Sequence, residues 1–428
     1  MMRKSENKSR LQRLTLLLVW TAVWCGVFAA DGKVLAQGSD EPLFVIWDGR
    51  GKEGFIDARG QTVIAPQFDD VTGFREGMAA VRVGQKWGFI DRTGKLVVQP
   101  RWKEVSAFSD GVAAVVDGVH SYAYTPLPEE GDGFELTVKA CGYIDKIGRY
   151  LIEPSIERKM TYCPDFTDGL APVNFENELT FFFKDFPLAG RGGYMDKRGQ
   201  WAIKPQFEGA YSFSEGLALV RLRYYHETAN DAGLSDFAYI DTTGKIVFEL
   251  KGYDLAHGFS EGLAQVNQES GKIGFVDRTG KLRFGVQAIS VGQFSNGRAV
   301  AHDTETKLYG YIDQSGQWVI QPKYLKATPF ADGSAVVGVE ADRCAEINPQ
   351  GKVLSEWTGE CLPGALVLDM LHVRTISERP NFRNIYGYKN RAGKYVWVSP
   401  GGEYALDQKW WRENYVGPHP PSFKQPHP

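Results

Sequence analysis

Apolar residues along this chain come in runs of four to six, rich in Val, Ile, Tyr and Phe, each closed by glycine, proline or a polar turn. Runs that short, with β-branched and aromatic residues, read as strands. The clearest copy is Gly54-Phe55-Ile56-Asp57-Ala58-Arg59-Gly60, then Val63-Ile64-Ala65-Pro66-Gln67-Phe68-Asp69, then Phe74-Arg75-Glu76-Gly77-Met78-Ala79-Ala80-Val81. It recurs 34 residues later from Gly88, and further copies open at Gly142, Gly193, Ala238, Gly274 and Gly310, with degenerate ones near Ala345 and at Gly387. A 34-residue period also suits helical arrays. Glycine at three or more fixed places and a recurrent central proline exclude that, because helix interiors tolerate neither.

Each unit is expected to hold three short strands. Asp91-Arg92-Thr93-Gly94 reads as a hairpin tip: the aspartate bonds back to the turn and the glycine supplies a positive φ. Trp87–Ile90 and Lys95–Val98 flank it, and Pro100 is expected to end the ladder, having no N–H to donate. Phe108-Ser109-Asp110-Gly111 forms a second turn before strand Val112–Val116. Phe108 and its equivalents Phe74, Phe166, Phe213, Phe259, Phe294 and Phe330 are placed in a core ladder between units.

These units resemble WG repeats, a bacterial β-repeat family named for the Trp-Gly pair seen here at Trp87-Gly88. The resemblance covers about residues 44 to 397, in roughly nine units, seven of them well formed. Trp precedes the glycine only once, so the tryptophan itself is not expected to do chemistry. A unit this small must stack on its neighbours. Either an open β-solenoid-like array or a closed β-propeller satisfies that. Propeller blades usually carry four strands in 40 to 45 residues, which favours the open array for units of 34 to 36 residues.

The chain has 428 residues. Residues 1–36 read as a signal peptide: a basic head of Arg3, Lys4, Lys8, Arg10 and Arg13, an apolar run from Leu14 to Ala30, and a small-residue site at Val34-Leu35-Ala36. An uncleaved membrane anchor is the alternative reading of the same run. The repeat array then occupies 37–400, and 401–428 is an extension whose Pro-rich tail is expected to be disordered. Cleavage would leave 43 Lys+Arg against 50 Asp+Glu, net −7, which argues against nucleic acid as a partner. Four cysteines would remain, and sequence proximity favours disulfides Cys141–Cys163 and Cys344–Cys361. The protein is expected to be exported, to the periplasm, the cell surface or beyond.

Two series of acids recur, one from Asp57 through Asp91, Asp145, Asp196, Asp241 and Asp277 to Asp313, the other Glu76, Asp110, Asp168, Glu215, Glu261 and Asp332. Metal ligation or paired-acid glycoside hydrolysis would use such groups once, at one geometry. Recurrence in every unit reads instead as turn chemistry. No nucleophile elbow, zinc, calcium or phosphate-loop motif is present, so no catalytic residue, metal or cofactor is expected. Three consecutive units lengthen at one place, through His120–Ala140, Asn174–Gly192 and Arg223–Asp236. Insertions on one face of a repeat protein are often its binding surface, and these carry Tyr122, Tyr124 and Phe134, then Phe181, Phe182, Phe183 and Phe186, then Tyr224 and Tyr225. The leading expectation is a non-enzymatic binding or scaffold module for a protein or glycan in the cell envelope. An envelope glycan-processing enzyme with its site in the insertions, and a purely structural spacer, are the alternatives; insertions packed on one another would merely thicken the array.

Overall fold

The computed structural model describes residues 42–124, 134–175, 190–224, 235–268 and 271–358 except Asp332 and Asp342, then Cys361 and the stretches 366–367, 370–375, 385–390 and 394–398. All the regular structure among them is β. Unit 2 shows the plan: a two-residue first strand Asp70–Val71, then Met78–Val83, Lys86–Asp91 and Leu96–Trp102, each antiparallel to the last. The sheet therefore joins the Phe-turn half of one sequence copy to the Gly-Phe-Ile-Asp half of the next. Among the described residues nine units on this plan, those of Phe44–Phe68 and Leu170–Phe207 with three strands, occupy eight sheets, because units 5 and 6 share the long strand Ile246–Ala256 in one seven-stranded sheet.

Successive units are joined by a repeated contact. The aromatic after the unit's glycine packs on the Phe-turn of the following unit, with ring centroids 4.9 Å apart for Phe55–Phe74, Phe89–Phe108, Tyr194–Phe213 and Tyr239–Phe259, and 4.7–5.2 Å for Tyr143–Phe166, Phe275–Phe294 and Tyr311–Phe330. Each such pair contributes about 0.5–1.5 kcal/mol beyond its area burial. The turn phenylalanines thus pack on the neighbouring unit's strand rather than forming a ladder among themselves. Where that strand carries Tyr, its hydroxyl also donates to a backbone carbonyl of the next unit: Tyr143 to Pro164, Tyr194 to Tyr211, Tyr239 to His257 and Tyr311 to Thr328. Burial pushes all four phenols well above their usual range. Unit 8 breaks the series with Glu346, buried, one carboxylate oxygen accepting from Ser355 Oγ at 3.1 Å.

A related contact, made to a strand rather than to a Phe-turn, closes the chain on itself and corrects the open solenoid. Tyr388 of unit 9 packs on Phe44 of unit 1 at 5.4 Å and donates its hydroxyl to Val45 O at 2.8 Å. Trp397 meets Trp47 at 4.9 Å, and Gly60 lies against Val396 just as Gly94 lies against Ile64 one unit earlier. The first unit is thus the neighbour of the last, and the array is a β-propeller ring. Blades this short close into a ring because almost no connector separates them. Here single residues, Asp69, Lys103 and Leu325, join one unit's fourth strand to the next unit's two-residue first strand. Four strands then fit in 34 residues.

Pro100 does not end its ladder either. The fourth strand continues to Trp102, and Pro100 lies in a bulge where pairing jumps from Trp87↔Trp102 to Phe89↔Val98. The bulge brings backbone onto Gly88: a Cβ there would lie 2.5 Å from Val98 O and 2.6 Å from Pro100 N. Gly54 with Pro66, Gly142 with Pro154, Gly193 with Pro205 and Gly310 with Pro322 repeat this arrangement. Where unit 5 has Ala238 and unit 8 has Ala345, no proline follows, and pairing through Phe237↔Leu250, Ala238↔Glu249 and Tyr239↔Phe248 is regular. The proline bulge thus occurs only opposite a glycine, whereas Gly274 of unit 6 stands without one, opposite Gly285 in regular pairing. Both expected disulfides form, Cys141–Cys163 and Cys344–Cys361. Each ties the residue before the unit's glycine or alanine to the segment leading into the next unit.

Gly88→Ala should lower stability by about 2–3 kcal/mol, since the added methyl meets backbone that cannot yield; Ala238→Gly should cost only about 0.5–1 kcal/mol. Urea midpoints for the two variants test this, and equal losses would refute the coupling. Replacing Cys141 and Cys163 together by Ala, which opens a loop of sequence separation 22, should cost about 3 kcal/mol, read the same way.

Candidate functional site

Antiparallel order sorts the connections onto two faces. The Phe-turns and the Asp-x-x-Gly turns both lie at one end of the second and third strands; the links between those two strands, where the insertions enter, lie at the other. The turn face is occupied by its own chemistry. Asp91 Oδ1 accepts from Thr93 N at 2.9 Å, Lys95 N at 3.1 Å and Thr93 Oγ1 at 2.6 Å, and Asp57, Asp145, Asp196, Asp241, Asp277 and Asp313 accept from the equivalent amides. Asn348 does the same in unit 8. Hydrogen bonds to the charged form hold Asp91, Asp241 and Asp313 below the usual carboxylate range, and Asp277 at about 2.

The second acidic series has a role that sequence reading missed. Glu76, Asp110, Asp168, Glu215 and Glu261 all have φ near +50°, the left-handed region. That conformation aims each carboxylate at the next unit, where it accepts from the turn-glycine amide: Glu76 from Gly111 at 3.0 Å, Asp110 from Gly169 at 2.6 Å, Asp168 from Gly216 at 2.9 Å, Glu215 from Gly262 at 3.0 Å and Glu261 from Gly297 at 2.9 Å. The preceding serine adds a parallel bond, as from Ser214 to Phe259 O and Ser260 to Phe294 O, both 2.7 Å. A cation of the next unit's turn faces three of the acids: Lys146 lies 3.2 Å from Glu76, Lys197 3.1 Å from Asp110 and Arg278 3.6 Å from Glu215. These acids stitch blades together. Among the described residues no three His, Cys, Asp or Glu side chains gather as a metal site would need.

The opposite face carries the insertions. The first insertion continues its strands into a long hairpin, Ala113–Tyr124 against Phe134–Ile144, with Phe134 paired to Tyr124 at its far end. Tyr122, opposite Leu136, packs on a buried cluster with Leu136, Val138, Met160 and Phe175, so this ring serves the core. Tyr224 ends its strand opposite Ser235. Phe181, Phe182, Phe183, Phe186 and Tyr225 lie outside the described residues. The stem of the second insertion is pinned by Asn174, which donates to Ala210 O at 2.9 Å and Tyr162 Oη at 3.0 Å and accepts from Ala210 N at 2.8 Å. Tyr162 and Tyr211, both exposed, flank that stem. Tyr162 sits in a connector and Tyr211 in the strand Gly209–Ser214, neither of them in an insertion, and no local sequence signal marks them.

Among the described residues no helix is long and apolar enough to cross a membrane. The family model described as WG containing repeat matches residues 54–87, 87–118, 193–224, 237–272 and 309–340. No curated protein matches the sequence. A crystal structure of the eukaryotic initiation factor is similar over 85% of this chain and 96% of that one, with 10% identity and a TM-score of 0.57; at that identity the likeness is one of fold alone. BamB from Moraxella catarrhalis (12% identity, 75% of this chain and 88% of that one, TM-score 0.38) and the WD40 β-propeller domain of Doa1 (11%, 45% and 66%, 0.26) are more distant in shape.

Asp277→Asn should change acid stability with a defined sign. A folded-state pKa of about 2, below the unfolded value of about 3.9, adds stability that is present above pH ~4 and lost as pH falls through ~2. The gap in urea midpoint between wild type and variant should therefore narrow over that window. A gap independent of pH would refute the assignment.

Proposed function

For this member of the WG-repeat family we propose a non-enzymatic binding or scaffold role, exported to the periplasm or cell surface, with a protein or glycan held on the insertion face of units 3 to 5. The carrying observation is the division between faces. On the turn face the recurring carboxylates are committed to their own turns and to the next blade. On the other, three consecutive links open into insertions beside exposed Tyr162 and Tyr211. Exposed aromatics give contact area at low entropic cost and are enriched at binding hot spots.

Export is supported by the signal-like N-terminus and by two disulfides, which persist in oxidising compartments. A rigid ring is also a suitable platform for binding loops. Removing residues 176–189 while keeping Asn174, which the blade needs, should abolish co-purification of crosslinked partners from an envelope fraction and leave the circular dichroism unchanged. Retention of every partner by that variant would exclude this face.

A further inference from the structure

Two positions on the third strand of each unit carry the packing between units. The residue after the unit's glycine or alanine faces the following unit, and the next residue faces the preceding one, because successive strand residues point to opposite sides. Between units 1 and 2 these positions meet as Phe55 and Ile90 in one buried cluster. Phe89 with Ile144, Tyr239 with Val276 and Tyr311 with Ile347 repeat the pairing, and so do the interfaces between them. At the closure Tyr388 packs on the cluster that holds Ile56. Eight of the nine interfaces thus set an aromatic ring with an aliphatic side chain.

The remaining interface, between units 8 and 9, departs at both positions. Glu346 stands at the aromatic position, opposite Val336 and Ser355, and is only 3% exposed. Lys389 stands at the aliphatic position: it pairs with Leu371 and Tyr395 as Ile347 pairs with Ala335 and Val353. No other unit has a charged residue at either position. The two departures are opposite in charge and fall where the positions meet. Glu346 also needs a partner, because one oxygen accepts from Ser355 Oγ at 3.1 Å while Oε1 has no hydrogen bond among the described residues. A buried carboxylate is costly without a cation. Arg343 on the same strand stands at a position of the opposite side and pairs with Glu340 at 3.1 Å. Arg374 shares its side with His372 and Tyr388, toward unit 1. Register therefore brings Lys389 to this seam.

We propose that Glu346 and Lys389 form a buried ion pair between units 8 and 9, and that this pair selects unit 8 as the surface on which unit 9 docks. The other interfaces are chemically alike, so apolar packing alone would also let unit 9 settle on another unit or on another copy of the chain. Lys389 would there be buried against an aromatic ring with no counter-charge, which penalises the wrong arrangement. The Cys344–Cys361 disulfide, two residues before Glu346, then secures the same seam.

Urea midpoints of single and paired variants test this, with circular dichroism confirming the fold. Lys389→Ile installs what most other units carry, yet it leaves Glu346 unpaired and should lower the midpoint. Glu346→Tyr should lower it too, by stranding Lys389. The two together rebuild the ordinary interface and should return the midpoint to the wild-type value or above it. Glu346→Lys with Lys389→Glu should recover most of what Glu346→Lys alone loses; if Glu346→Lys cannot fold, the reversed pair should. Amide exchange locates the effect: in Lys389→Ile the strands Ile385–Asn390 and Phe44–Trp47 should exchange about tenfold faster, with Lys86–Asp91 unchanged. A Lys389→Ile midpoint at or above wild type, paired changes that merely add, or exchange raised evenly around the ring would each overturn the proposal.

Discussion

None of these small sheets can bury its apolar faces alone, and everything else in the molecule follows from how each leans on the next. The contact is composite. An aromatic ring meets the neighbour's Phe-turn, a carboxylate in left-handed conformation takes the neighbour's glycine amide, and a serine hydroxyl takes the carbonyl before it. Because the three arise from one short motif, Phe-Ser-acid-Gly, the sequence repeats the interface as faithfully as it repeats the blade. The ring is then a set of related interfaces, the last of which has Tyr388 reaching Val45 O in the strand paired with Glu53–Ile56, where Tyr311 reaches Thr328 O ahead of the corresponding strand.

Much of this is legible in the amino-acid sequence. Alternating short apolar runs and turn glycines dictate strands, and the Asp-x-x-Gly tips are local enough that the aspartate's partners can be named from sequence alone. The cysteine pairs are readable because each spans fewer than 25 residues. Closure is not readable, because it rests on a contact between Val45 and Tyr388 that no local pattern encodes. The strand count fails for a related reason: Asp70–Val71 is too short to give an alternating pattern, so its existence appears only through pairing with Val81 and Arg82. The second acidic series reads correctly as structural, but its partners lie 35 to 59 residues away.

The insertion face is the least legible part. The sequence locates the lengthened links, and antiparallel topology puts them at one end of the blades. It does not foretell that Tyr122 is drawn into a core cluster, or that Tyr162 in a connector and Tyr211 in a short strand, with no distinguishing motif, stand beside the second stem. Side-chain direction in an extended hairpin depends on register, and the break in pairing between Lys139 and Cys141 resets it midway.

The half-unit offset between sequence copy and sheet has a consequence for the order of assembly. Most blades have their neighbours as soon as the following copy emerges, over separations of tens of residues. The first sheet, Phe44–Phe68, waits for a partner 343 residues downstream. Relative to a link such as that of Tyr311 to Thr328, 17 residues apart, joining ends so far apart costs about 2.7 kcal/mol more in chain entropy. Until then Phe44 and Ile46, buried in the finished ring, have nothing to cover them. The first residues of the ring to be synthesised are therefore among the last to find shelter, and the N-terminal blade is the vulnerable edge of the newly made chain.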